Sequence, residues 1–280
     1  MTQPEFPFLP LSLIGTGTSA QVWRARHLSS GHEVALKVFK QEGHSSNQME
    51  EFFRETRLVA RSTHKNILKV WGYGRSAQIV KHQDEAVLDV GQLYLVSEYA
   101  PGGSLESQIG QMEWSQTRAV LLELLSGLAR VHARGIVHLD LKPANVLRSQ
   151  RGVLISDFGV AAPIVSKALS QRSGGLFGTP SYMSPEQGVS HSHLYGPWTD
   201  LYGLGCLAVV LITGQTPYTT SGLVEQLIAH RTEPVPSLEG RFRVPTGFDL
   251  WLAGMMNKSW SRRFQRAVEA KRYLETLDFS

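Results

Sequence analysis

Residues 137–147 read VHLDLKPANVL, an apolar segment that contains an acid, a base and an amide at Asp140, Lys142 and Asn145. Each of these polar groups costs free energy if it is buried without a partner. The segment is therefore either a polar turn whose groups are satisfied inside a core, or the rigid support of a reaction that uses the three groups together. Two other parts of the sequence bear on this choice.

The first is a glycine-rich stretch, LIGTG, which contains Gly15 and Gly17. It is followed by AQVWRARH and EVALKVFK, and alternating runs of this kind are typical of an antiparallel sheet. Because no helix follows the glycines, the dinucleotide-binding fingerprint of a βαβ unit does not fit. A glycine-rich hairpin can close over phosphates because its N–H groups approach the oxygens closely, and an ordinary hairpin turn is the alternative.

The second is a lysine on a strand. Lys37 lies in VALKVF and must find an anion or reach water. Residues 48–62, QMEEFFRETRLVARS, have the apolar period of a helix, and Glu55 lies on the apolar stripe. A Lys37–Glu55 pair that directs the ammonium group at a nucleotide is the interpretation we favour.

Six motifs in chain order resemble the signature set of the eukaryotic-type (Hanks-type) protein kinases: IGTGTSAQV, VALK, RET, HLDLKPANVL, SDFG and GTPSYMSPE. The resemblance covers residues 9–277 and is closest to the bacterial Ser/Thr kinases. It implies an α+β, bilobal protein-kinase fold. A small antiparallel β-rich N-lobe with one main helix is expected at about 9–97, a hinge at 98–103, and a larger, mainly helical C-lobe at 104–277.

The resemblance implies phosphoryl transfer from ATP to Ser/Thr hydroxyls of proteins, with autophosphorylation and with Mg²⁺ (alternatively Mn²⁺) as the metal. Asp140 would orient the substrate hydroxyl or accept its proton, and Lys142 would offset charge on the transferring phosphate. Asn145 and Asp157 would hold the metal through oxygen atoms.

Nucleotide contacts are also implied by the resemblance. The backbone of Glu98 and Ala100 would bind adenine, and Ser97 would border the rear of the adenine pocket. The full set of expected nucleotide-binding residues is Ile14, Gly15, Thr16, Gly17, Val22, Ala35, Lys37, Glu55, Glu98, Ala100 and Leu147.

Three structural roles follow from the same resemblance. Thr179 would hydrogen-bond near Asp140, and Glu186 would form a buried ion pair with an arginine of SRRF, with Arg263 as the expected partner. Asp200 would accept N–H bonds from the backbone of the catalytic loop, the segment HLDLKPAN at residues 138–145.

The sequence departs from the family pattern at two positions. Leu139 stands where the family usually has an arginine that pairs with a phosphate on the activation segment, so this charge pair is absent. Ala20 replaces the third glycine of the phosphate loop, and weaker nucleotide binding is expected. Activation by phosphorylation is therefore in question at each candidate acceptor: Ser166, Ser170, Ser173, Thr179 and Ser181.

Composition indicates a folded globular protein. The chain has 280 residues, a formal charge of +4 and ordinary apolar and charged fractions. The single cysteine, Cys206, excludes an intrachain disulfide and favours a reducing compartment. For the basic C-terminal stretch RRFQRAVEAKR, a solvated helix face is favoured over a surface for nucleic acid or anionic lipid.

The most apolar run, LYGLGCLAVVLITG, is shorter than the ~20 residues of a membrane helix and predicts a core helix. The N-terminus lacks the pattern of a signal peptide. We expect a cytoplasmic monomer or weak dimer, with a secreted effector or the soluble part of a larger protein as alternatives. Protein substrates are expected, without nucleic acid and without a membrane segment.

Two further segments carry expectations. Residues 75–92 are longer than a tight hairpin requires and predict an extended β-connection that projects from the small lobe. His191 and His193 are expected on a surface loop rather than at a metal, because no cysteine or acid is near them in sequence.

Two other functions stay open at this point. A pseudokinase would keep the fold as a nucleotide-binding or scaffolding module, although the presence of Lys37, Glu55, Asp140, Asn145 and Asp157 argues against it. A small-molecule kinase of related fold would usually lack the GTPSYMSPE segment, which forms a surface for an extended polypeptide.

Overall fold

The computed structural model describes residues 6–17, 19–40, 60, 62–158, 162–163, 178–189, 191–238 and 242–278. These residues form two compact units. The first consists of the described residues up to Thr63 together with Leu68–Pro101, and the second of His64–Ile67 with the described residues from Gly102 onward. The change of unit after Pro101 lies within the connector expected at 98–103, and the lobe limits stay a prediction.

An antiparallel sheet of five strands forms the first unit, as the alternating apolar runs predict. Its strand order is β1–β2–β3–β7–β4. β1 begins at Phe8, earlier than the predicted LIGTG run, because Pro10 is accommodated at a register shift and does not end the strand. The strands are β1 Phe8–Thr16, β2 Ala20–His27, β3 Glu33–Phe39, β4 Val70–Arg75 and β7 Leu93–Glu98.

The connection at 75–92 contains a hairpin, formed by β5 Val80–His82 and β6 Glu85–Leu88. It is β-structured as predicted, but the expectation that it projects is wrong. His82 Nδ1 lies 3.2 Å from the carbonyl oxygen of Pro10 in β1. Buried side chains of the hairpin join the core of the first unit: Val80, Val87 and Leu88. Burial of these apolar groups holds the hairpin against the sheet.

The second unit is mainly helical. Its helices are α1 Trp114–His132, α2 Pro185–Gly188, α3 Pro197–Thr213, α4 Leu223–Thr232, α5 Phe248–Met256 and α6 Ala267–Thr276. Its strands form two short antiparallel pairs, β8 Ile136–Val137 with β11 Ala162–Pro163 and β9 Val146–Ser149 with β10 Gly152–Ile155. The long helix α1 packs against α3 and α6.

Helix α3 is the core helix that its composition predicts. It begins at Pro197, whose missing N–H and fixed φ suit the first turn, and ends before Gly214, which has a φ of 80°. Cys206 is fully buried, and burial raises the pKa of its thiol well above the ordinary value. Among the described residues, no helix is both long and apolar enough to span a membrane.

The strands of the first unit and the helices of the second give the α+β class expected from the sequence. Of the helix predicted over 48–62, only residues 60 and 62 are described, and Glu55 lies outside the described residues.

Candidate active site

The segment between β8 and β9 brings the acid and the base of the opening motif together. Lys142 Nζ lies 2.9 Å from Asp140 Oδ2. The same ammonium group donates to Thr179 Oγ1 at 2.6 Å, and the Thr179 hydroxyl donates to Asp140 Oδ1 at 2.8 Å. Both carboxylate oxygens of Asp140 are thus held, and the expected Thr179–Asp140 hydrogen bond is present.

Asn145 fixes the same carboxylate from a third direction. Its amide nitrogen donates to the Asp140 carbonyl at 2.8 Å and to Asp140 Oδ2 at 3.1 Å. Pro143 begins the short 3-10 turn that ends at Asn145, and its fixed φ restricts the backbone here. Since both bonds use the amide nitrogen, the amide oxygen of Asn145 faces elsewhere.

Asp157 is connected to Asn145 through the residue before it. The Asn145 carbonyl accepts hydrogen bonds from both the N–H and the hydroxyl of Ser156, each at 2.9 Å. Asp157 is exposed and has a φ of 56°, which is unusual for a residue with a side chain. A carboxylate and an amide oxygen are hard ligands of the kind that divalent metal ions prefer.

Asp200 supports the catalytic loop from the first turn of α3, as expected. It accepts N–H bonds from His138 and Leu139, each at 2.8 Å, and a bond from His132 Nε2 at 2.7 Å. Complete burial opposes the charge on Asp200, but these hydrogen bonds and the nearby imidazoles outweigh it and hold its pKa below the ordinary value. The loop is therefore attached to the core through a buried acceptor.

Leu139 occupies the position of the missing arginine, and its side chain is buried in the second unit. Its φ is 68°, a left-handed conformation that costs an L-residue about 1–2 kcal/mol. Its N–H is bound by Asp200, and its carbonyl accepts from Gln187 Nε2 at 2.8 Å. These bonds hold the strained backbone next to Asp140.

Two contributors to this loop were not identified from sequence, His138 and Gln187. The buried His138 ring lies 2.8 Å from the Ser156 carbonyl and 4.6 Å, between ring centroids, from Phe158. His138 was visible within the HLDLKPAN motif, but its contacts depend on residues that follow β10. The position of Gln187 in SPEQ offered no comparable signal.

Helix α2 is fixed by the ion pair expected between Glu186 and Arg263. Two parallel bonds of 2.8 Å join the guanidinium to the carboxylate, and both side chains are buried. Thr199 adds a 3.0 Å bond to Glu186 Oε1. A bidentate buried pair of this kind sets the position of the helix as well as adding energy.

The predicted nucleotide residues of the first unit lie around the turn between β1 and β2 and on β3. Gly17 donates its N–H to the carbonyl of Ala20 at 2.8 Å, closing the turn after Gly15 and Thr16. On β3, Val34, Leu36 and Val38 are buried, while Ala35 and Lys37 share the half-buried face. The Lys37 ammonium lies 5.5 Å from the ring centroid of Phe39. Ile14 on β1 is exposed, and Val22 on β2 is half-buried.

The predicted adenine-binding residues lie at and beyond the end of β7. Ser97 is buried and stands between Ala35 and Val70 in the strand register. The Glu98 carboxylate accepts the Lys69 N–H at 2.7 Å, and Ala100 is buried. Leu147 belongs to the second unit, on β9 opposite Leu154.

The remaining predicted residues lie partly outside the described part of the chain. Glu55, Ser166, Ser170 and Ser173 lie outside the described residues, and Ser181 lies in the 3-10 turn Pro180–Tyr182. His191 and His193 are exposed, with ring centroids 5.5 Å apart.

The family described as "Protein kinase domain" matches residues 8–265, and the chain belongs to it. Serine/threonine-protein kinase PknA of Mycobacterium tuberculosis is 33% identical over 231 residues, which are 81% of this chain and 51% of that protein. Serine/threonine-protein kinase Pkn1 of Myxococcus xanthus is 31% identical, over 80% of this chain and 31% of that protein. The probable serine/threonine-protein kinase PknB of Bifidobacterium longum is 30% identical, over 92% of this chain and 38% of that protein.

The chain spans about half the length, or less, of these relatives. The resemblance to the bacterial-like Hanks-type Ser/Thr kinases is confirmed. Membership of the family implies use of ATP and a divalent metal ion.

Proposed function

We propose that this chain is a serine/threonine protein kinase that transfers the γ-phosphoryl group of Mg-ATP to protein hydroxyls, its own included. The observation that carries the proposal is the bonding of Asp140 by Lys142, Thr179 and Asn145. Phosphoryl transfer depends on positioning and charge neutralisation, and this arrangement provides both. The names of the relatives support Ser and Thr as acceptors.

Asp140 takes the role of orienting the acceptor hydroxyl and receiving its proton. Its carboxylate is held in place by the Thr179 hydroxyl on one oxygen and by Lys142 and Asn145 on the other. Such prior orientation lowers the entropic cost of reaching the transition state. The Lys142 ammonium, beside the carboxylate, is placed to offset charge on the transferring phosphoryl group.

The metal ligands in this proposal are the amide oxygen of Asn145 and the carboxylate of Asp157. The ion would be Mg²⁺, with Mn²⁺ as the alternative, and it would neutralise phosphate charge when bound. Asn145 also binds Asp140, so one side chain links the metal ligands to the group that orients the acceptor.

The nucleotide roles of the first unit belong to the same proposal. Lys37 supplies a cation to the phosphates, and the backbone around Gly15 and Gly17 supplies N–H donors. Glu98 and Ala100 bind adenine through their backbone. Apolar contact with the ring comes from Ile14, Val22 and Ala35, and the family resemblance gives Leu147 of the second unit the same role.

The test is transfer of label from γ-labelled ATP with Mg²⁺ to the protein itself and to a generic basic protein substrate, followed by phosphoamino-acid analysis. Phosphoserine or phosphothreonine is expected. Asp140→Asn should abolish the label, and Asp84→Asn, an exposed aspartate of the β5–β6 hairpin, should leave it unchanged. Absence of label from the unaltered protein, or full labelling by Asp140→Asn, would refute the proposal.

A further inference from the structure

The side chain of Gln187 has both ends of its amide bound, although the residue is buried. Its Oε1 accepts from the Ser184 N–H at 3.1 Å and from the Ser184 hydroxyl at 3.2 Å. Its Nε2 donates to the Leu139 carbonyl at 2.8 Å. A backbone N–H can only donate and a carbonyl can only accept, so the partners define which end of the amide is which.

The bond to Leu139 fixes the peptide group directly before Asp140. The Leu139 N–H is held by Asp200, its carbonyl by Gln187, and the Asp140 N–H by His138 Nδ1 at 3.3 Å. Because Leu139 has a positive φ, its backbone does not rest in this conformation by preference. The Gln187 amide therefore helps to fix the backbone conformation that orients the Asp140 side chain.

Gln187 also brings the catalytic loop to the segment that ends in α2. At the start of that segment, a Cβ added to Gly178 would lie 2.7 Å from the Leu139 carbonyl oxygen and 3.4 Å from Gln187 Nε2. The backbone of Gly178 therefore packs directly against the Gln187–Leu139 hydrogen bond. Thr179, the next residue, binds Asp140. Residues 178–187 thus contact the loop through Thr179, which binds Asp140 and Lys142, and through Gln187, which binds Leu139.

The neighbouring residue connects α2 to Arg263, because Glu186 is paired with that arginine. Two successive side chains of one short helix therefore join the catalytic loop to Arg263 through buried polar contacts. The contact on the catalytic side is between two neutral groups and involves no charge.

We propose that Gln187 is a positioning residue for phosphoryl transfer, which holds Asp140 in register with residues 178–187 through the Leu139 carbonyl. This inference rests on the proposed kinase function. The contact is made by a neutral amide. The position of Asp140 relative to residues 178–187 therefore does not require a phosphate group on this segment.

The experiment compares Gln187→Glu and Gln187→Met with Gln215→Met, a control at an exposed glutamine. Glutamate has the same shape and keeps an acceptor for Ser184, but it presents an oxygen to the Leu139 carbonyl. Both Gln187 variants should lower kcat for a protein substrate at least tenfold, with the KM for ATP within twofold of the unaltered enzyme. Gln215→Met should change neither value. A kcat within threefold for folded Gln187→Met, which has no donor for the Leu139 carbonyl, would overturn the inference.

A second measurement does not depend on activity. Amide hydrogen exchange of a peptide covering residues 136–145 should accelerate at least tenfold in Gln187→Met and stay unchanged in Gln215→Met. If the unaltered protein transfers no phosphate, the proposed function fails. The rate of amide hydrogen exchange still tests whether Gln187 holds the loop. Unchanged exchange in folded Gln187→Met would overturn that role.

Ser184→Ala provides a milder variant if both Gln187 variants fail to fold. It removes the hydroxyl that orients the Gln187 amide and leaves the backbone bond to Oε1. A two- to fivefold loss of kcat with an unchanged KM for ATP is expected. A folded Ser184→Ala protein with unaltered kcat and unaltered exchange would count against the inference.

Discussion

The hydroxyl of Thr179 donates a 2.8 Å hydrogen bond to Oδ1 of Asp140. The hydroxyl oxygen of Thr179 also accepts a hydrogen bond from the ammonium of Lys142, so one hydroxyl contacts both the acid and the base of this loop. Thr179 lies in the segment that resembles the polypeptide-docking part of Ser/Thr kinases. In the proposed kinase, this arrangement would connect acceptor binding with the position of Asp140.

Thr179→Val should therefore lower kcat for a protein substrate about tenfold to a hundredfold, because a bond to a charged group is worth about 1.5–3 kcal/mol. Valine keeps the shape of threonine and removes the hydroxyl. Thr179→Ser is the matched control and should keep most of the activity. Steady-state kinetics with varied ATP should show an unchanged KM for ATP in both variants. Equal losses in Thr179→Val and Thr179→Ser would contradict this role of the hydroxyl.

Arg263→Met should destabilise the second unit by about 3–5 kcal/mol, because it leaves the Glu186 carboxylate buried without its cation. The Arg266–Glu269 ion pair is a natural control, because it is exposed and the guanidinium Nε lies 4.0 Å from the carboxylate Oε1. Arg266→Met should cost less than about 1 kcal/mol. Urea unfolding followed by circular dichroism would compare the two. Similar costs for both variants would mean that the buried pair contributes no more than a surface pair.

Acid should destabilise the protein through His230, a buried histidine of α4. Burial and the nearby Lys258 ammonium lower the pKa of His230 to about 4. Gln226 Nε2 lies 3.3 Å from His230 Nε2, and a protonated ring would place two N–H donors against each other there. Between about pH 6.5 and 4 the unfolded chain binds this proton and the folded chain does not, so stability falls as the pH falls through this range.

The size of the effect can be measured by difference. From pH 7 to pH 4.5, the histidine should account for about 2–3 kcal/mol of lost stability. His230→Gln cannot titrate and should lose that much less than the unaltered protein over the same range. Urea midpoints at the two pH values give the comparison. An equal loss in both proteins would assign the acid sensitivity to other groups.

The sequence indicated that the polar groups of residues 138–145 come together, because they lie within a few residues of one another, and their catalytic roles stay a prediction. Asp140, Lys142 and Asn145 are held by a local turn, and a local pattern can reveal them. Contacts between distant residues were accessible only where the family resemblance named both partners, as for Glu186 and Arg263. Gln187 and Leu139 are 48 residues apart, and nothing in either position indicates the other.

The fold shows the same limit. Alternating apolar residues predicted the strands of the first unit, because strand formation follows a local period. Where a strand packs is a tertiary property, and the β5–β6 hairpin was therefore placed wrongly. The apolar residues Val80, Val87 and Leu88 indicated that part of the hairpin is buried. Alternation alone does not predict which surface covers them.

Lys37→Ala and Asp157→Ala are each expected to abolish phosphoryl transfer in a protein that stays folded. Lys37 lies on the half-buried face of β3 and Asp157 is exposed, so neither side chain is part of an apolar core. Lys81→Ala, at an exposed lysine of the hairpin, should leave the rate unchanged. The rate of label transfer and circular dichroism would be measured together. Unfolding of either variant would show that the residue is structural.

The final prediction concerns Leu139, which has no charge to pair with a phosphate. In the family pattern that the motifs resemble, the usual arginine at this position does so. Such a contact is worth about 1.5–3 kcal/mol, or roughly tenfold to a hundredfold in a conformational equilibrium. Here the Leu139 backbone is held by Asp200 and Gln187 instead. We therefore expect the rate on an exogenous substrate to change less than about tenfold when the enzyme is treated with a phosphatase that is then removed.

Alanine substitutions test the same prediction at single positions. Replacement of each candidate serine should likewise leave the rate within about tenfold, namely Ser166, Ser170, Ser173 and Ser181. Thr179→Ala is the positive control, since its hydroxyl serves Asp140 directly and its loss should lower the rate. A larger fall after phosphatase treatment, or at any of the four serines, would show that another basic residue binds the phosphate. Arg172 and Arg54 would then be the first residues to replace, and loss of the phosphatase effect in one of these variants would identify the partner.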